Sequence, residues 1–166
     1  GLDFAEQLSC GDDFSCALTS DKRLLCWGGN SFGQLGDGTL VSRHIPAPVQ
    51  DLRNVTAVDA GWSHICAVSD TPQPGALWCW GSNSDGQLGD GTTTPRRSPV
   101  KIEDQVVTAS AGQSHSLFVK ADGSLWAMGS NARGMLGDGT HADRLTPVRV
   151  ADDVIDASAG ATHSLF

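Results

Sequence analysis

One string of residues returns three times along this chain, and that repetition constrains the fold more than any other feature. Trp27-Gly28-Gly29-Asn30 running on to Gln34-Leu35-Gly36-Asp37-Gly38-Thr39 recurs as Trp80-Gly81-Ser82-Asn83 to Gln87-Leu88-Gly89-Asp90-Gly91-Thr92. It recurs again as Met128-Gly129-Ser130-Asn131 to Met135-Leu136-Gly137-Asp138-Gly139-Thr140. Each copy is followed by a Pro-Val pair, at Pro48-Val49, Pro99-Val100 and Pro147-Val148. Then comes an alternating stretch such as Val55-Thr56-Ala57-Val58, whose period of two reads as a strand. A second marker, Ala-Gly-x-Ser/Thr-His, spans Ala60–His64, Ala111–His115 and Ala159–His163, and Cys10-Gly11-Asp12-Asp13-Phe14 holds the matching place near the start. The marker glycines Gly11, Gly61, Gly112 and Gly160 are 50, 51 and 48 residues apart. The chain therefore divides into repeats at 11–60, 61–111 and 112–159, with 160–166 opening a fourth, all within one structural unit over 1–166. A module this short buries its apolar face only by stacking on its neighbours.

The 20 glycines and 7 prolines punctuate the chain at short intervals, which predicts an all-β fold of many short strands. With 39% hydrophobic and 18% charged residues the composition is that of a globular domain. The net charge of −8 opposes binding to a phosphate backbone, so nucleic acid is not an expected partner. No apolar run approaches the roughly 20 residues of a membrane-spanning helix, and no membrane insertion is expected.

In this order and at this period, the Gly-x-x-His, Trp-Gly-x-Asn, Gln-Leu-Gly-x-Gly and Pro-Val landmarks resemble the repeats of the regulator of chromosome condensation family over essentially the whole chain. The resemblance implies a β-propeller of radially arranged four-stranded blades, usually seven. Here about three blades are present, a fragment of a larger ring or one completed by oligomerisation. An open arc leaves apolar sheet faces and strand edges at both ends, and these need covering.

Four of the five cysteines occupy two repeat-equivalent positions. Cys16 and Cys66 lie five residues after the marker glycine, and Cys26 and Cys79 immediately precede the motif Trp. In the third repeat both positions change together, to Leu117 and Ala127. Each couple flanks a hairpin loop, so its members face each other across adjacent antiparallel strands, where non-hydrogen-bonded Cα atoms approach to about 4.5 Å. Disulfides Cys16–Cys26 and Cys66–Cys79 are expected, the alternative being four reduced, buried small side chains. Persistent disulfides place the protein in an extracellular, cell-surface or periplasmic setting. Cys10 is left over, aligned with Ala60, Ala111 and Ala159.

The period-two rule puts Trp27, Trp80 and Met128 on one sheet face, with the Cys positions opposite, as blade-to-blade core. His64, His115 and His163 recur once per repeat, with Phe14 in the first, and read as structural histidines rather than metal ligands or general bases. Arg43, Arg96 and Arg144 each lie four residues after the Gly-Asp-Gly-Thr string. Their repetition implies a loop-bracing role through a carboxylate or carbonyls, or else a ring of guanidinium groups that receives an acidic partner. His44, Arg97 and His141 do not repeat in kind and are the candidate binding-loop residues. Asp85 lies in a calcium-like loop, but its counterparts are Phe32 and Arg133, so no metal is expected.

No polar residue is both singular and chemically suited to catalysis, so neither an enzyme nor a cofactor is expected. The reading is a non-enzymatic scaffold that presents variable loops to another protein, or to copies of itself. By analogy with the family, nucleotide exchange on a GTPase or docking on chromatin are alternatives, as is a self-assembling structural repeat.

Overall fold

The computed structural model describes residues 5–166, and all regular secondary structure among them is β-strand. Strands β1 (Ala5–Cys10), β2 (Phe14–Thr19), β3 (Leu24–Gly28) and β4 (Arg43–Pro48) form an antiparallel sheet in chain order. The same meander recurs in β5 (Val55–Ala60), β6 (His64–Ser69), β7 (Ala76–Gly81) and β8 (Arg96–Glu103). It recurs again in β9 (Val106–Ala111), β10 (His115–Lys120), β11 (Leu125–Gly129) and β12 (Arg144–Ala151). Strands β13 (Ser158–Ala159) and β14 (Ser164–Leu165) begin a fourth sheet.

The first strands β1, β5, β9 and β13 touch one another in succession, so the sheets fan out as propeller blades with these strands innermost. Each sheet starts one strand ahead of the sequence repeat, because β1, β5 and β9 end just before the marker glycines. A repeat counted from its glycine gives three strands to one blade and the innermost strand to the next.

The marker glycines are explained at this inner edge. The Trp62 N–H donates to the Gly112 carbonyl at 3.3 Å, and the Asp12 N–H donates to the Trp62 carbonyl at 3.0 Å, linking blade to blade. A Cβ on Gly61 would lie 2.2 Å from the Gly112 oxygen, so no larger residue fits.

Each blade has two apolar faces. The forward face of blade one presents Cys16, Leu18, Leu24 and Cys26, and these meet Ile65, Ala67 and Trp80 on the rear face of blade two. The forward face of blade two, with Cys66, Val68 and Cys79, meets Phe118 and Met128 of blade three. Cys16 pairs with Cys26 and Cys66 with Cys79 directly across their hairpins, at Cα separations of 4.2 and 4.3 Å, and both pairs are disulfide-bonded. Leu117 and Ala127 oppose each other at the same register in blade three. Trp80 and Met128 are fully buried, whereas Trp27 is half-buried, because it sits on the rear face of blade one.

Candidate protein-binding face

β2 begins opposite the end of β3, with Phe14 paired to Gly28. The long loops that leave β3, β7 and β11 therefore project from the same end of the blades as the marker-glycine turns. These long loops, 29–42, 82–95 and 130–143, carry most of the repeated string, and the string builds one bracing network three times.

At the centre of each network is a fully buried asparagine: Asn30, Asn83 or Asn131. The Asn83 amide donates to Asp90 Oδ1 at 3.1 Å and to the carbonyls of Thr92 at 3.0 Å and Thr94 at 3.2 Å. Its own oxygen accepts from the Leu88 N–H at 3.0 Å. Asn30 and Asn131 make the equivalent bonds. Asp37, Asp90 and Asp138 take the N–H and hydroxyl of Thr39, Thr92 and Thr140 on one oxygen. The other oxygen receives Arg43 at 2.5 Å, Arg96 at 2.6 Å and Arg144 at 2.7 Å. Burial raises the pKa of each carboxyl, but the threonine, the arginine and the backbone N–H together hold it below the usual range, down to about 2 for Asp138. The three guanidinium groups thus hold their own loops, with their charge met by a carboxylate on each blade.

The loops also lean on the next blade. The Gly38 N–H donates to the Arg97 carbonyl at 2.9 Å and the Gly91 N–H to the Leu145 carbonyl at 2.9 Å. A Cβ on Gly36 would meet the Trp80 indole nitrogen at 2.7 Å, and one on Gly89 the Met128 sulfur at 2.2 Å. Both glycines sit at positive φ, +66° and +74°, so the turn and the close approach each call for glycine.

The histidines lie beneath these loops, between blades. His64 Nε2 is 2.8 Å from Ser116 Oγ, and His115 Nε2 is 3.1 Å from Ser164 Oγ. Ser116 Oγ in turn donates to the Gln87 carbonyl at 2.8 Å. At the first junction the same places hold Phe14 and Ile65, an apolar pair, and the Trp80 indole N–H supplies the bond to the Gln34 carbonyl at 3.0 Å. Burial, with a smaller contribution from neighbouring His115, pushes the His64 pKa down to about 3, and burial takes His115 to about 4. His163, on the incipient fourth blade, is exposed.

What each braced loop displays differs from blade to blade. Phe32, Asp85 and Arg133 hold one equivalent position in the loops; His44, Arg97 and Leu145 hold another just beyond them, the second residue of β4, β8 and β12, and His44, Arg97 and loop residue His141 are all exposed. Phe32 is 45% exposed and the adjoining Val41 66%. Trp62 is the residue that sequence reasoning missed. Its place in a tryptophan count suggests core, yet it follows a marker glycine rather than occupying a strand, and it stands 50% exposed at the inner edge of this face. Its position directly after Gly61 was the available signal. Among the described residues no group of three His, Cys, Asp or Glu side chains is arranged to hold a metal ion.

Fanned four-stranded blades with braced loops at one end define a repeat propeller. Models of the regulator of chromosome condensation (RCC1) repeat match residues 21–68, 74–119 and 122–166, and a second form of that repeat matches 5–34, 55–87 and 106–134. The chain belongs to this family. The ultraviolet-B receptor UVR8 of Arabidopsis thaliana is 38% identical over 112 residues, covering 66% of this chain and 25% of the receptor. Human WBSCR16 superimposes with a TM-score of 0.81 at 26% identity over 95% of this chain and 43% of its own. Yeast RCC1 (Prp20), crystallised bound to Kap60, superimposes with a TM-score of 0.81 at 24% identity over 96% of this chain and 40% of its own. The chain thus spans a quarter to under half the length of these proteins.

Proposed function

We propose that this chain is a non-enzymatic protein-binding scaffold whose long-loop face is the binding surface. The observation that carries the reading is the contrast within each long loop. An identical asparagine-aspartate-threonine-arginine network fixes the backbone, while Phe32, Asp85, Arg133 and His141 vary within the loops that it holds still and His44 and Arg97 vary at the strand starts just beyond the bracing arginines. A preordered loop loses little conformational entropy on association, so its side chains convert contact into affinity efficiently. Yeast RCC1, crystallised with Kap60 bound, is a family precedent for binding another protein.

The two disulfides support a site of action in an oxidising compartment: extracellular, cell-surface or periplasmic. The proposal includes further blades, or a second copy, packed on the open faces of the arc, since Trp27 on the rear face of blade one is only half-buried. To test the reading, a photo-crosslinking residue is placed at Arg97 or His141 and, as a control, at Arg23 on the opposite end. Crosslinks to one discrete protein from the native source at 97 and 141 but not at 23 support it. Equal labelling at all three positions refutes it.

A further inference from the structure

The end of the blades opposite the long loops is architecturally regular except at blade two. There the β2–β3 and β10–β11 connections are tight turns, closed by Thr19 N–H to the Arg23 carbonyl and Lys120 N–H to the Ser124 carbonyl, each at 2.9 Å. The β6–β7 connection is longer, running through Asp70, Thr71, Pro72, Gln73, Pro74 and Gly75. Its last residue meets blade three as the other turns meet the next blade: the Val106 N–H donates to the Gly75 carbonyl at 2.9 Å, as the Val55 N–H does to the Lys22 carbonyl at 3.1 Å and the Val154 N–H to the Gly123 carbonyl at 2.9 Å. Between this longer connection and blade three lies a cleft of about 660 Å³, a volume in the range of ligand-binding clefts.

Buried Val68 and Val106 and 54%-exposed Val107 line the cleft, with Pro74 beside them and the carboxylates of Asp70 and Asp122 also in its lining. Each carboxylate spends one oxygen on its own loop, Asp70 on the Gly75 N–H at 3.1 Å and Asp122 on the N–H and hydroxyl of Ser124 at 2.9 and 2.6 Å. No hydrogen bond occupies the second oxygen of either. The two cations near Asp122 are engaged elsewhere, Arg149 with Asp152 and Lys120 3.3 Å from Glu103 and over the Trp126 ring, and the lining residues themselves carry only the two carboxylate charges.

We propose that this cleft binds an extended basic peptide segment, one apolar side chain resting on exposed Val107 and Pro74 and a flanking arginine or lysine paired with Asp70 and Asp122. What is singular is the longer, Pro-bearing connection from Asp70 to Gly75, since its bond to blade three recurs at the other junctions. The proposal does not depend on the long-loop face, and a variant on that face serves as its internal control.

The test is fluorescence polarisation with a labelled short peptide of alternating arginine and leucine, against the same peptide with glutamate for arginine or serine for leucine. D70N/D122N keeps the loop-closing oxygens and removes the charge, and V107K places a cation in the cleft. The expected result is binding that weakens by about tenfold or more in both variants, falls similarly for either control peptide, and stays unchanged in R97E. Near-UV circular dichroism confirms that each variant is folded, and V107K decides the matter if D70N/D122N is not. Binding that survives V107K overturns the proposal, as do equal affinity for the glutamate peptide and no binding up to about 1 mM. Argininamide competing as well as the peptide replaces the peptide with a small cation and equally overturns it.

Discussion

Acid should unfold this protein through two histidines, and the extent follows from where they sit. His64 and His115 are both fully buried between blades, with pKa values near 3 and 4, against 6.5 in an exposed chain. Between those limits the unfolded chain binds protons that the folded one refuses, so stability falls as the pH falls through this window. From pH 6.5 to 5 the difference amounts to about 2 kcal/mol for each histidine at about 1.4 kcal/mol per pH unit, or about 4 kcal/mol together. The loop carboxylates titrate lower and leave this window to the histidines. Urea unfolding followed by tryptophan fluorescence at pH 7.5 and 5.0 measures it. Blade junction one supplies the control, because Phe14 and Ile65 occupy the places of His64 and Ser116. H64F/S116I should abolish about half of the pH dependence, yet it strips the Gln87 carbonyl of its buried donor at a cost of about 1–3 kcal/mol. Adding M128W, which imports the indole that serves Gln34 at junction one, should recover part of that loss. Equal stability of the wild type at pH 7.5 and 5.0 would refute the argument.

Four further outcomes follow. Alkylation under native, non-reducing conditions should label Cys10 alone, and reduction should expose all five thiols by mass spectrometry. Removing one disulfide by C66S/C79S should cost about 3 kcal/mol by the loop-entropy relation, whereas C66L/C79A, copying Leu117 and Ala127, should cost less because it refills the junction; thermal unfolding ranks the two. G61A should destabilise by about 2 kcal/mol or more through the Gly112 carbonyl, and G139A, with nothing within 4 Å of its Cβ, only by the roughly 1 kcal/mol strain of positive φ. N83A should cost about 3 kcal/mol in urea unfolding, since it orphans the Leu88 N–H and two loop carbonyls, while R96A, which removes a side chain 36% exposed but leaves a carboxylate 5% exposed, should cost less, about 1–2 kcal/mol.

The architecture was legible because the period, the turn residues and the paired cysteines are properties of the string itself. A repeat counted from its most visible residue, the marker glycine, nevertheless runs one strand out of step with the sheets. The glycine marks a turn, and the sheet begins with the strand before it. The site was harder to read, because its residues are defined by what they do not repeat. Trp62 reads as core by residue type, yet its backbone is spent on bonds between blades and its side chain is half exposed. Equally, Phe14 with Ile65 looks like a lapse in the histidine motif until the facing blade is seen to change with it. The cleft beside Val107 is assembled from residues 56 to 122, and no local pattern in the string brings them together.

Nuclear Overhauser contacts from the Trp80 indole N–H test the fan of blades most directly. Stacking places that proton on blade one, beside Gly36 and the Gln34 carbonyl, and shields it from solvent. Cross-peaks to the Gly36 α-protons and the Val49 methyls, with slow exchange in heavy water, are the predicted result. A rapidly exchanging indole proton with cross-peaks only to its own sheet would contradict the account.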